Sequence, residues 1–311
     1  MIVLSTINLH EKYIEDIEKE GLTYKFVKSS ELTKADLNEA EIMISYGSSK
    51  DFKNPEYLTK IKWLHVMSAG MDEVPKEVFD KCIVTNSSGI HKIQMAEYAV
   101  GLILQFYKNL NQAFENQKAH FWDSNLKSEE ISGKTAFILG TGNIGTRLAK
   151  LLSAFDVKVI GFNTLGREVN HFEKTLPIIE LKNRLGEADI VVNILPSTNK
   201  TRGLLDIQMF EQMKDSALFL NIGRGDVMTD ETMIEVLKNR IIRHMLLDVF
   251  NEEPLKEDSV FYEFDNVTIT PHASSKTSEY IPRAYKIFKD NLLSLKNDQS
   301  MNNVVTFEKG Y

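Results

Sequence analysis

Thr135 to Gly145 reads TAFILGTGNIG, a β-branched and aromatic apolar run that stops in Gly140-Thr141-Gly142-Asn143-Ile144-Gly145. The glycines follow G-x-G-x-x-G. Behind them Ile144, Leu148, Leu151, Leu152 and Phe155 recur at helical spacing, so the turn joins a strand to an amphipathic helix. A second apolar run, Val157 to Phe162, completes a βαβ unit. Each glycine has a physical reason: Gly140 permits the tight turn, Gly142 lets the backbone approach a pyrophosphate, and Gly145 lets helix and strand pack closely. The helix N-terminus then faces an anion. Three glycines alone carry little weight; the flanking strand, helix and second strand make them a dinucleotide site.

Composition bounds the rest. With 311 residues and 42% hydrophobic content, the chain is long enough for two cored domains rather than one. Lys and Arg number 37 against 44 Asp and Glu, a formal net charge of -7, which argues against nucleic acid or an anionic membrane as partner. The start, MIVLSTINLHEK, lacks a basic n-region, and no stretch approaches the ~20 apolar residues of a membrane span, so a cytoplasmic protein is expected. Cys82, the single cysteine, opens an apolar run and reads as a small buried hydrophobe. A disulfide or Cys-metal scaffold is excluded, and no metal site is expected.

In chain order, Ile2–Ile7 is a β-like run, His10–Glu20 is helix-like, and Tyr24–Val27, Ile42–Tyr46, Ile61–Val66 and Ile83–Thr85 are further strands separated by helical pieces. Such alternation implies a parallel sheet wound on both faces. Two loops end strands in small residues, Ser68-Ala69-Gly70 and Asn86-Ser87-Ser88-Gly89. Ligands of open α/β sheets bind at the carboxyl ends of strands, so both loops are candidate contacts. Lys92–Gln117 reads as one long helix, apolar on most sides through Leu104, with Glu97 inside it as a buried cap or ion pair. The polar stretch from Asp123 to Glu130 reads as a linker. Beyond the glycine turn the expected elements are strand Ala188–Leu195, helix Asp206–Met213, strand Ala217–Ile222, helix Asp230–Asn239, strands His244–Phe250 and Asn266–Thr270, and helix Ile281–Leu295 returning to the first domain. A substrate domain of residues 1–97 plus 282–311 and a dinucleotide domain of 98–281, with a cleft between them, are expected.

Three segments place titratable residues where an apolar strand gives way to a loop. Arg224 lies between two glycines in LNIGRGDV, Asp248 and Glu253 lie in LLDVFNEEPL, and His272 follows Pro271 in VTITPHASS. If these strands are parallel, their loops open at the edge of the glycine turn and gather an Arg, a Glu and a His around a dinucleotide.

The chain resembles the D-isomer-specific 2-hydroxyacid dehydrogenase family over essentially its whole length. The matching text is GTGNIG, ILPSTNKTRGLL, NIGRGDVMTDETMIEVL, DVFNEEPL and TPHASSKT, with HVMSAGMDEV and MAEYAVGLIL upstream. The resemblance implies two doubly wound parallel-sheet α/β domains, a flavodoxin-like substrate domain and a Rossmann dinucleotide-binding domain. It also implies a nicotinamide cofactor, a small 2-oxo or 2-hydroxy acid substrate, and a homodimer held through the cofactor domains and the long helix. Carried onto this sequence, Arg224 binds the substrate carboxylate and polarises its keto oxygen, and Glu253 holds His272. His272 is then the acid that protonates the oxygen as hydride reaches C2. The fork of Arg suits a carboxylate better than Lys, and an imidazole suits proton transfer near neutrality. Backbone amides of Ala69 and Gly70 hold the carboxylate from the other domain. Gly140, Gly142, Asn143, Ile144 and Gly145 form the pyrophosphate turn, Leu195 and Pro196 the adenosine side, and Ile222 and Asp248 the nicotinamide side. The alternative function is a dinucleotide-sensing, corepressor-like binding protein on the same scaffold.

Two departures stand out. Ser275 occupies a position where the family often has Gly. The acidic residue expected at the end of the second strand is replaced by Asn163, followed by Thr164, Gly166 and Arg167. A carboxylate there accepts hydrogen bonds from the ribose and repels a 2′-phosphate, whereas a nearby Arg accommodates it. NADP(H) is therefore the expected cofactor, with NAD(H) as the alternative.

Overall fold

In the computed structural model, which describes residues 1–71 and 73–307, strands and helices alternate along the chain. It divides into two compact units, residues 1–91 with 277–311, and residues 92–276. The first unit holds five parallel strands, β1 (Ile2–Ser5), β2 (Thr23–Phe26), β3 (Ile42–Ser45), β4 (Trp63–Val66) and β5 (Ile83–Asn86), in the order β2-β1-β3-β4-β5. The second holds seven, β6 (Thr135–Leu139), β7 (Lys158–Asn163), β8 (Lys174–Pro177), β9 (Ile190–Asn193), β10 (Leu218–Asn221), β11 (His244–Leu247) and β12 (Val267–Ile269), in the order β12-β11-β10-β9-β6-β7-β8. The order reverses between β6 and β9, and a crevice at the carboxyl ends of such a sheet is where ligands bind.

Both sheets are apolar on both faces because successive side chains point to opposite sides. In the second unit Ala136, Ile138, Val159, Val192 and Leu220 face helices Lys92–Tyr107 and Asn143–Ser153, while Phe137, Leu139, Phe162, Val191 and Phe219 build the opposite core. In the first, Val3, Ile42, Ile44 and Trp63 pack against Ala284, Tyr285 and Phe288 of helix Tyr280–Lys296, and Leu4, Met43, Leu64 and Val84 fill the other side. Trp63 and Phe288 stack with ring centroids 5.1 Å apart. No helix among the described residues is long and apolar enough to cross a membrane.

Several expected elements differ. The single helix over Lys92–Gln117 is two, Lys92–Tyr107 and Leu110–Lys118, broken where Asn109 turns left-handed at φ 52. Asn tolerates that conformation, and the apolar spacing carries no trace of it. The helix Asp206–Met213 is a single turn, Ile207–Phe210, capped by the Asp206 carboxylate. Strand β8, KTLP, has neither a long apolar run nor strict alternation and was not expected. Glu97 is exposed rather than buried, on the face opposite Ala96, Ala99 and Ile103. The units part at 91/92 and 276/277, whereas the expected boundaries of 97/98 and 281/282 fall inside helices Lys92–Tyr107 and Tyr280–Lys296. A helix ladder stays in one piece, so the chain changes unit ahead of the helix, at Lys92 where one begins and at Thr277 in the loop that precedes Tyr280. Cys82 is partly buried, and burial pushes its thiol up to about 11.

Candidate active site

The glycine turn follows β6 at the carboxyl edge of the seven-stranded sheet. β6 delivers the chain to Gly140 at φ +107, a conformation glycine alone adopts freely. A Cβ on Gly145 would lie 2.0 Å from the Gly140 carbonyl oxygen, so only glycine lets the helix rest on the turn. Gly142 caps helix Asn143–Ser153 without any side-chain hydrogen bond, and a Cβ there would meet nothing within 4 Å. The first-turn N–H groups of Asn143 and Ile144 have no backbone acceptor among the described residues and follow a glycine that borders open space, and a dinucleotide pyrophosphate fits that cradle.

Neighbouring strands end in register, with Leu139 beside Asn193, Asn193 beside Asn221, Asn221 beside Leu247 and Leu247 beside Ile269. Their loops therefore leave the sheet along one edge. Asn193 and Asn221, both fully buried, join across it: Asn193 Nδ2 donates to Asn221 Oδ1 at 2.9 Å. Asn193 Oδ1 also receives the Leu195 amide (3.2 Å), Asn221 Oδ1 the Gly223 amide (3.1 Å), and Asn221 Nδ2 donates to the Arg224 carbonyl (3.0 Å). This pair shapes both the Leu195-Pro196 loop and the Arg224 loop, and it was missed from sequence. The only signal is that an Asn closes each apolar run, IVVN and LFLN.

Arg224 sits between glycines that close approach demands. A Cβ on Gly223 would lie 2.8 Å from the Leu195 carbonyl oxygen, and one on Gly225 2.2 Å from the Phe250 carbonyl carbon. Its guanidinium Nη1 donates to the Gly223 carbonyl at 3.0 Å. Ile222, just before this loop, is 1% exposed.

The backbone of Phe250 links Arg224 to the histidine. Its amide donates to Glu253 Oε1 at 3.0 Å, and Glu253 Oε2 lies 2.7 Å from His272 Nδ1. An ionised carboxylate only accepts, so Nδ1 carries the proton toward Glu253 and Nε2 is the ring atom left to a substrate. His272 is in a left-handed conformation at φ 48. Asp248, 1% exposed, braces that turn: its carboxylate accepts from Thr270 Oγ1 (2.6 Å), the Ala273 amide (2.8 Å) and the Ser274 amide (3.0 Å), and its carbonyl accepts the His272 amide (2.9 Å).

At the end of β7 the Asn163 carboxamide bonds within the 163–167 loop, while Thr164 and Arg167 are exposed. Pro196 accepts Thr201 Oγ1 at 2.6 Å through its carbonyl. One unit thus holds the glycine turn, Asn163, Leu195, Ile222, Arg224, Asp248, Glu253 and His272. Ala69 and Gly70 belong to the other, at the carboxyl end of β4. There Asn86 Nδ2 donates to the Ala69 carbonyl and Ser68 Oγ to the Gly70 carbonyl, both at 2.8 Å, while the two amides donate to no group among the described residues. No group of three or more His, Cys, Asp or Glu among the described residues could hold a metal ion.

A family model described as "D-isomer specific 2-hydroxyacid dehydrogenase, NAD binding domain" matches residues 100–274. The chain is 31% identical to a glyoxylate reductase of Thermofilum pendens over 76% of its own length and 72% of that protein's. It is 30% identical to a D-3-phosphoglycerate dehydrogenase of Methanocaldococcus jannaschii over 97% of its own length and 59% of that relative's. A D-isomer-specific 2-hydroxyacid dehydrogenase family protein of Aeromonas salmonicida has a solved structure that superposes with a TM-score of 0.86 at 27% identity, covering 98% of each chain.

Proposed function

From the premise that the chain belongs to the D-isomer-specific 2-hydroxyacid dehydrogenase family, we propose that it is an NAD(P)H-dependent reductase of small 2-oxo acids, forming D-2-hydroxy acids. The observation that carries this reading is the His272–Glu253 contact of 2.7 Å, which commits Nδ1 and leaves Nε2 for a substrate oxygen. When bound, the nicotinamide dinucleotide supplies the hydride that reaches C2. Arg224 pairs with the substrate carboxylate and polarises the keto oxygen through its fork of N–H donors. His272 gives its Nε2 proton to that oxygen, and in the reverse direction takes it back. Glu253, held by the Phe250 amide, keeps the imidazolium oriented, and Asp248 fixes the turn that carries it.

NADP(H) is the cofactor favoured by this sequence, because Asn163 adds no negative charge beside the ribose and Arg167 is exposed four residues on. NAD(H) is the alternative. The name of the Thermofilum relative supports a short 2-oxo acid such as glyoxylate, and the second relative's name a phosphorylated C3 acid. A homodimer in the cytoplasm is part of the same reading; Phe114, Phe121 and Trp122, exposed by 55%, 58% and 91%, give the segment after the long helix an apolar surface for it. The test is the absorbance of NADPH and of NADH while a panel of 2-oxo acids is added. Oxidation with at least one acid supports the reading; dinucleotide binding with no turnover on any acid favours the corepressor-like sensor.

A further inference from the structure

Asn163 ends β7 with every hydrogen-bonding position of its side chain in use. Oδ1 accepts from the Leu165 amide at 3.2 Å and the Arg167 amide at 3.0 Å; Nδ2 donates to Thr141 Oγ1 at 3.1 Å and to the Arg167 carbonyl at 2.8 Å. A carboxamide has two N–H groups and two carbonyl lone pairs, so nothing is left over for a ribose hydroxyl. Two backbone N–H donors at one end also fix which end is the oxygen.

The clamp grips Arg167 on both its amide and its carbonyl, as a neighbouring strand would. It also reaches back to the glycine turn, since Thr141 is the residue between Gly140 and Gly142. The loop is seated from below as well: Gly166 has φ +71, and a Cβ on it would lie 2.8 Å from Pro177 Cδ at the end of β8. Meanwhile the Arg167 side chain is exposed and makes no hydrogen bond or ion pair among the described residues. Its backbone is held and its guanidinium is available.

We propose that Asn163 is a positioning residue: its carboxamide closes the 163–167 loop and thereby sets Arg167 where a dinucleotide 2′-phosphate is read. This rests on the reading of the chain as NADP(H)-dependent. Selectivity then lies in the shape of the loop and not in a contact between Asn163 and the cofactor. A charge-only account predicts that Asn163→Ala, which adds no charge and keeps Arg167, leaves the preference intact. The clamp predicts that it does not. In Asn163→Asp a second carboxylate oxygen would face the Arg167 carbonyl with no hydrogen between them, so this variant too opens the loop.

The experiment is calorimetric titration of the full chain with 2′,5′-ADP and with 5′-AMP, which share the adenosine and 5′-phosphate but differ in the 2′-phosphate. It is combined with amide hydrogen exchange at Leu165 and Arg167. Wild-type protein is expected to prefer 2′,5′-ADP by about tenfold or more, the scale of one charged hydrogen bond. Arg167→Ala should abolish that preference, and Asn163→Ala should abolish it too. In Asn163→Ala the two amides should exchange faster, and the readout is the ratio of the 2′,5′-ADP and 5′-AMP affinities, which a general loss of binding at the glycine turn would leave unchanged. Asn163→Ala with the wild-type preference would overturn the clamp and leave the NADP(H) reading standing. Wild-type protein that does not discriminate would overturn the NADP(H) reading and, with it, the role of Asn163.

Discussion

His272 Nδ1 lies 2.7 Å from Glu253 Oε2, and the second oxygen of the same carboxylate receives the Phe250 amide at 3.0 Å. A carboxylate anchored at one oxygen and offered through the other sets both the tautomer and the aim of the ring. His272→Ala is expected to lower kcat by about a hundredfold or more, the usual scale of general acid catalysis, with dinucleotide binding nearly intact. Glu253→Gln can keep the Phe250 bond or accept from Nδ1 through one oxygen but cannot do both, so a smaller loss of about tenfold is expected. Initial rates for both variants check this, and a His272→Ala protein with most of its activity would remove the histidine from the chemistry.

Arg224 is held by its neighbours' backbone, so its loop should survive a change of side chain. Arg224→Lys keeps the charge and loses the planar fork, and KM for the 2-oxo acid should rise while kcat falls, by about tenfold combined. Saturation kinetics with one acid decide it; unchanged constants would mean that the guanidinium does not touch substrate.

Two glycines of the turn make opposite predictions. Gly145→Ala drives a methyl to 2.0 Å from a backbone oxygen that has nowhere to go, so stability should fall by about 1–3 kcal/mol or more. Gly142→Ala meets open space and should melt like wild type, yet bind dinucleotide at least about tenfold more weakly because the methyl stands where the pyrophosphate approaches. Thermal melts paired with fluorescence titration separate the two; tight binding by Gly142→Ala would place the pyrophosphate elsewhere.

His65 in the first unit is fully buried, with Nδ1 2.9 Å from Thr85 Oγ1 and its ring packed against both Trp63 and Phe288. Burial pushes its pKa down from 6.5 to about 3. Between those values the unfolded chain binds a proton that the folded chain refuses, so stability rises with pH and is lost as pH falls below 6.5. The slope is at most about 1.4 kcal/mol per pH unit for one such group. His244, pushed down to about 4 by burial and then by Arg243, acts with the same sign. Urea unfolding of wild type and His65→Gln at about pH 7 and about pH 5 should show a shallower loss in the variant. Equal slopes would mean that His65 takes up its proton in the folded state.

The sequence by itself determined the strand, glycine turn and helix of residues 135–153 and the parallel alternation of both units. It also located Arg224, Glu253 and His272 at strand ends. These are local properties: glycine spacing, the period of apolar residues, and the point where an apolar run stops. The tertiary structure alone decided how the polar groups pair. Nothing local says that Asn193 will bond Asn221, 28 residues on, because that needs β9 and β10 to become neighbours in one register. Likewise Asp248 is a brace for the His272 turn only because β11 and β12 end side by side. Asn163 can spend its whole carboxamide on Thr141 and Arg167 only because β7 lies beside β6 and its loop folds back over β8. Periodicity encodes which face is buried, whereas a hydrogen bond is set by which atoms the assembled sheet brings within 3 Å, and that is a property of strand order.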